Sequence, residues 1–237
     1  MHRLPSGTVR VFVSPMAAYD AVSLRQLERA VLVPEEQRRS RAILRASSRD
    51  AFVAAHALKR LVLGALLGRV PHFSRQAGGK PVVDGNVLHF NISHCDSHVA
   101  LALCGSAPVG VDVESVPMRV SMPQVMHSAL TATERARVMA ESDHERSFLI
   151  HWTAKEAYVK ATGEGLSRGF DTLTLGAGAG PLHLLGDQVA AHRLHCRSDR
   201  GHVLSVCTLG DTDDAAQPVR IEAVVCSLRG VETLRAP

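Results

Sequence analysis

The chain has 237 residues, enough for one large domain or two small ones, and 46% of them are hydrophobic, ample for a buried core. Its net charge of +4 and pI of about 9.0 direct attention to anionic partners. No apolar run reaches the roughly 18 residues of a membrane span, the opening MHRLPSGTVRVFVSP lacks a signal-peptide core, and the five cysteines form no CxxC pair. A reduced, cytoplasmic protein with no membrane partner is expected.

TVRVFVS (8–14) alternates apolar and polar residues and predicts a first strand. Pro34 to Gly68 is helical in pattern, and DAFVAAHALKRLVLGALLG within it is apolar enough for a core helix. Arg38, Arg39, Arg41, Arg45 and Arg49 crowd its first part against three acids. Such a run is either a solvated helix face or an attractor for phosphate, an acidic protein or nucleic acid. No aromatic interleaves with it, which weakens a single-strand nucleic-acid reading. GGKP (78–81) is a turn; VLHFNIS (87–93), HVALALC (98–104) and VGVDVE (109–114) are strands. A loose, methionine-dotted stretch (116–126) precedes TATERARVMA, where Thr131 and Glu134 have capping-box spacing. The helix containing Trp152 follows and is broken by Gly163 and Gly165. DTLTLG (171–176), HVLSVCTL (202–209) and IEAVVCSL (221–228) are strands, and GAGAGP (176–181) is a turn that opens no helix. FVAAHALKRLVLG (52–64) aligns with FLIHWTAKEAYVK (148–160), each with Lys seven residues after Phe. That alignment implies a duplicated α+β unit with halves near 1–105 and 106–237, and a ligand cleft between them.

In GVDVE, strand alternation puts Asp112 and Glu114 on one side, where they repel unless a cation lies between them. Two solvated acids on an exposed strand are the alternative. Trp152, Glu156 and Lys160 recur every four residues on one helix stripe, so Glu156 could close a third side of such a cation. Three carboxylates suit Mg²⁺. Zinc is disfavoured, because none of the thirteen histidines has ligand spacing beside a cysteine pair. Mg²⁺ held this way commonly binds phosphate too, which Lys160 would face. Asn91, Ser93 and His94 in FNISH form a polar strand end suited to a ligand edge.

FNISH, GVDVE and WTAKEAYVKATGEGL, in this order, closely resemble the long, Sfp-type 4′-phosphopantetheinyl transferases over about residues 34–170. The resemblance implies an α+β fold of two similar halves packed as a pseudo-dimer, with one active site between them, in a chain active as a monomer. It implies transfer of the phosphopantetheine arm of coenzyme A to a serine of an apo acyl or peptidyl carrier protein, leaving 3′,5′-ADP. By that likeness Asp112, Glu114 and Glu156 hold Mg²⁺, Glu156 takes the serine proton, and Lys160 stabilises the pyrophosphate. Arg49, with Arg45 as fallback, and Lys80, Ser93 and His94 bind the nucleotide end and its phosphates. Trp152 wedges the helix in place. The arginine-rich segment and the methionines of 116–126 would meet the acidic carrier. The competing readings are a Mg²⁺-dependent phosphate-ester hydrolase and a basic, non-catalytic phosphate- or nucleic-acid-binding protein, of which the latter would need no acid triad.

Overall fold

The computed structural model describes residues 8–76, 79–85, 88–165, 168–176, 182–186, 189–210 and 219–234. Strand β1 (Val9–Pro15) leads to helices α1 (Ala21–Val31), α2 (Pro34–Ala42) and α3 (Ala46–Leu67). A hairpin of β2 (Phe73–Arg75) and β3 (Pro81–Val83) follows, then β4 (His89–His94) and β5 (His98–Cys104). The same order then recurs: β6 (Val109–Ser115), helices α4 (Met122–Ala129), α5 (Ala132–Ala140) and α6 (His144–Thr162), a hairpin of β7 (Thr174–Leu175) and β8 (Leu184–Leu185), then β9 (His192–Ser198) and β10 (His202–Leu209). β11 (Val219–Ser227) and β12 (Gly230–Thr233) come last. Among the described residues no helix is long and apolar enough to cross a membrane.

The pairing repeats as well. The five-stranded sheet has order β12-β11-β1-β5-β4 and the three-stranded sheet β6-β10-β9, so the antiparallel trio β1-β5-β4 has a counterpart in β6-β10-β9. The hairpin β11–β12 has no counterpart. It crosses back and lays β11 parallel to β1. A division at 105/106 therefore assigns this hairpin to one half by sequence, while its hydrogen bonds place it in the sheet of the other.

Strand alternation builds the layers. In β5, Val99, Leu101 and Leu103 face α3, joining Ala54, Leu58 and Phe90 in one core. Ala100, Ala102 and Cys104 face the other way and meet Val111, Val113, Leu204 and Val206 of the second sheet. α6 covers the far side of that sheet, with Ala154, Ala157 and Tyr158 packed near Cys207 and Leu173. The order is helix, sheet, sheet, helix, and the seam between the two sheets is lined by buried valine, alanine, leucine and cysteine side chains.

A buried ion pair also occurs twice. Glu36, at the third position of α2, accepts from the Val33 amide (3.3 Å) and from Lys59 Nζ of α3 (2.7 Å), with Arg60 Nε at 2.5 Å. Glu134, at the third position of α5, accepts from the Thr131 amide (2.8 Å) and from Lys155 Nζ of α6 (2.6 Å). Phe52 and Phe148 stand seven residues before the two lysines, so the alignment of the two helices is matched by equivalent contacts.

Several elements differ from the sequence expectation. The helical pattern from Pro34 divides into α2 and α3 because Ile43 and Arg45 are extended. The stretch 116–126 runs into α4, and 171–176 holds only a 3-10 turn (Phe170–Thr172) and the two-residue β7. α1, β2, β3, β8, β9 and β12 are additional. Of GAGAGP, residues 177–181 lie outside the described residues, as do Gly78 of the expected turn, Val87 of the expected strand and Leu166 of the third motif.

Candidate active site

The site begins with a glycine. A Cβ on Gly110 would run into the Ala157 carbonyl oxygen and the Ala161 nitrogen, so only glycine lets β6 lie against the α6 backbone. Two residues on, Asp112 is 3% exposed, and its Oδ1 lies 2.6 Å from Lys160 Nζ. Glu156 Oε2, one turn earlier on α6, is 3.8 Å from the same ammonium. Helix period and strand alternation thus bring two motifs to one point.

FNISH supplies the third side. β6 is an edge strand, and its outward amides are satisfied by side chains of β4: Val111 N donates to Asn91 Oδ1 (2.9 Å) and Val113 N to Ser93 Oγ (3.4 Å). The Ser93 hydroxyl donates to Asp112 Oδ1 (2.8 Å), and Lys160 Nζ donates to Ser93 Oγ (3.2 Å). Ser93 therefore joins both runs of the chain at the charged centre. Asn91, expected at a ligand edge, is a stitch between the sheets through its bond to β6.

Trp152 packs against Phe148 (centroids 6.1 Å) and edge-on to Phe170 (5.3 Å), wedging α6 as expected. It also lines, with Glu114 and His94, a cavity of about 310 Å³ walled by Met118 and Val120. Asp96 stands at that cavity and pairs with both Arg45 (3.5 Å) and Arg119. Nothing in the sequence marked Asp96, whose two partners come from distant segments.

The centre has more negative than positive charge. Burial, and then the Asp112 carboxylate, push the Glu114 pKa up to about 8. Burial raises Glu156 too, with Lys160 opposing and Asp112 adding. Burial would lower Lys160, but Asp112 and Glu156 outweigh it and hold the ammonium charged. Asp112 Oδ2 is buried without a hydrogen-bond partner. Among the described residues no three His, Cys, Asp or Glu side chains stand as a ready metal cage. Instead the Lys160 ammonium occupies the midst of the acids. Carboxylates gathered at one point, one of them with a buried oxygen that no protein group meets, are a donor set that fits a divalent ion.

Two expected ligands are placed differently. Lys80 Nζ donates to three backbone carbonyls, those of Val109 (3.1 Å), Lys160 (2.6 Å) and Ala161 (3.0 Å), which occupies all its donors. Arg49 is half-buried in the first turn of α3 and does not line the cavity, whereas Arg45, one turn earlier, does. Arg45 is the extended residue that precedes α3 and does not share its helical backbone. His94 is exposed at the cavity, edge-on to Phe52 (6.5 Å).

Residues 108–207, which hold GVDVE and the Trp152 helix, match the family model ACPS, the 4'-phosphopantetheinyl transferase superfamily, in agreement with the resemblance read from the motifs. Curated relatives agree. The chain is 28% identical over 155 residues to 4'-phosphopantetheinyl transferase HetI of Nostoc sp. (59% of this chain, 62% of that one). It is 34% identical over 105 residues to 4'-phosphopantetheinyl transferase psf-1 of Bacillus pumilus (43% and 44%). It is also 34% identical over 107 residues to 4'-phosphopantetheinyl transferase Sfp of Bacillus subtilis (44% and 46%). The matches thus span between 44% and 62% of the length of these relatives.

Proposed function

We propose that this chain transfers the 4′-phosphopantetheine arm of coenzyme A to a serine hydroxyl of an apo acyl or peptidyl carrier protein, with 3′,5′-ADP as the second product. The observation that carries the reading is the meeting of Ser93, Asp112, Glu156 and Lys160, from three separate motifs, at one partly buried point. Asp112, Glu114 and Glu156 would hold Mg²⁺, which when bound supplies positive charge to the pyrophosphate oxygens. Lys160, one turn from Glu156 on the same helix, would face the phosphate.

Phosphoryl transfer needs positioning and charge neutralisation more than covalent help from the protein. The serine oxygen attacks the phosphorus that carries the pantetheine arm, and its proton passes to the Glu156 carboxylate, directly or through water. The bond from that phosphorus to the bridging oxygen breaks and 3′,5′-ADP leaves, its new charge stabilised by Lys160. A raised pKa makes Glu156 a better base than an exposed glutamate. Ser93 and His94 would line the nucleotide side, with Arg45 at the cavity in place of Arg49.

In this reading residues 1–105 chiefly contact the nucleotide end and 106–237 carry the metal site and catalytic helix. The chain works as a cytoplasmic monomer, because its two halves already pair with each other. The carrier would meet exposed Arg38, Arg41 and Arg45, Leu44 (97% exposed) and Val120 (54%). Charged residues in place of Val120 and Met122 should raise the KM for carrier and leave that for coenzyme A unchanged. The decisive experiment is mass spectrometry of apo acyl and peptidyl carriers incubated with the chain, coenzyme A and Mg²⁺. A carrier gaining one phosphopantetheine group supports the reading, provided the gain disappears with EDTA and in Glu156→Gln. A folded chain that binds no coenzyme A would sink it.

A further inference from the structure

The three acceptors of Lys80 share a location. Lys160 and Ala161 lie in the last turn of α6, where helix carbonyls have no partner within the helix and the dipole is negative. Val109 begins β6, and its neighbour Gly110 is the residue that touches α6. Gly163, the left-handed cap of α6 (φ 81°), lies against the lysine stem, since a Cβ there would be 3.7 Å from Lys80 Cδ. Lys80 thus arrives from the β2–β3 turn of the first run and pins two elements of the second at their common end. The residue whose carbonyl it holds most closely is Lys160, and Glu156 is one turn away.

No carboxylate is ion-paired with Lys80 among the described residues, and burial pushes its pKa down to about 8. A buried ammonium met only by carbonyl dipoles stabilises a fold poorly. Its placement serves geometry better than stability. We propose that the Lys80 side chain is a positioning group, a clasp that fixes α6 against β6 and thereby sets Lys160 and Glu156. The kinetic part of this inference rests on the transferase reading; the structural part does not.

The test is amide exchange of residues 156–163 in the full chain carrying Lys80→Met. Exchange there should rise by about tenfold while residues 148–153 of the same helix stay protected. In carrier modification kcat should fall by about tenfold with the KM for coenzyme A held within about threefold, and Lys80→Arg should restore part of both losses. Unchanged exchange at 156–163 would overturn the clasp, as would a KM for coenzyme A raised about tenfold at constant kcat. If the wild-type chain modifies no carrier, the transferase reading falls while the exchange measurement still decides the clasp. Should Lys80→Met not fold, Lys80→Gln, which keeps a donor, carries the same comparison.

Discussion

Asp112 is the residue on which the site turns, because it binds Lys160, accepts from Ser93 and raises the pKa of Glu114. Its removal in Asp112→Asn should abolish most activity, by about a hundredfold or more, and should lower the Glu114 pKa, which carboxyl NMR would read. Glu114 also makes stability depend on pH. Its folded pKa of about 8 lies above the ordinary 4.5, so between these values the folded state holds a proton the unfolded state has lost. Stability of the metal-free chain should therefore fall as pH rises through that window. Mg²⁺ should flatten the slope, and a Tm series with and without EDTA measures it. Gly110→Ala should destabilise by about 3 kcal/mol or more, since the methyl meets backbone on two sides and neither can yield. The acids, Ser93 and Lys160 were legible in the sequence because their period and spacing expose them. Lys80 was named from the resemblance, for the nucleotide end, but its contacts were not legible, because its partners are backbone carbonyls some 30 and 80 residues away and no side-chain pattern announces a carbonyl.

At the scale of elements, Glu36 and Glu134, each at the third position of its short helix, act as struts to the long helix beside it. Lys155 is fully buried, so Lys155→Met removes one partner of a buried pair and should cost about 3–5 kcal/mol in urea unfolding. Glu134→Gln with Lys155→Met should cost less than the sum of the single changes. Hydrogen bonds from His56 and Arg60 outweigh burial and hold Glu36 well below the usual carboxylate range, and Lys155 and two amides do the same for Glu134. Both therefore add stability that is present above the unfolded pKa and lost as pH falls through the folded one. The capping box at Thr131 could be read from spacing, but the burial of its glutamate depends on a lysine in the next helix. α3 and α6 were legible from their apolar period. β9 was not, since HRLHCRS is an edge strand beside β10 in which only Leu194 and Cys196 are apolar.

Across the whole molecule, the seam between sheets ends at a pair of related residues. His98 opens β5 and His202 opens β10, and their rings lie 4.1 Å apart. Burial, and then His202, push the His98 pKa down to about 4, below the ordinary 6.5, while Asp199 beside His202 opposes this. Between those values the unfolded chain binds a proton that the folded chain refuses, so stability should fall as pH drops through the window. His98→Phe should soften that acid limb in a Tm series. The hairpin β11–β12 holds the remaining edge of β1. A chain ending at residue 218 should lose cooperative unfolding in denaturant, because β1 would be left with its parallel edge bare.

That returning hairpin also sets an order in time. During synthesis β6 to β10 are complete, with α6 available to cover them, before β11 has left the ribosome. Chains generally acquire structure from the N-terminal side as they emerge. Here the sheet of β1, β5 and β4 must wait for β11 and β12, so the layer of β6, β10 and β9 can be finished while the layer ahead of it in sequence still lacks an edge.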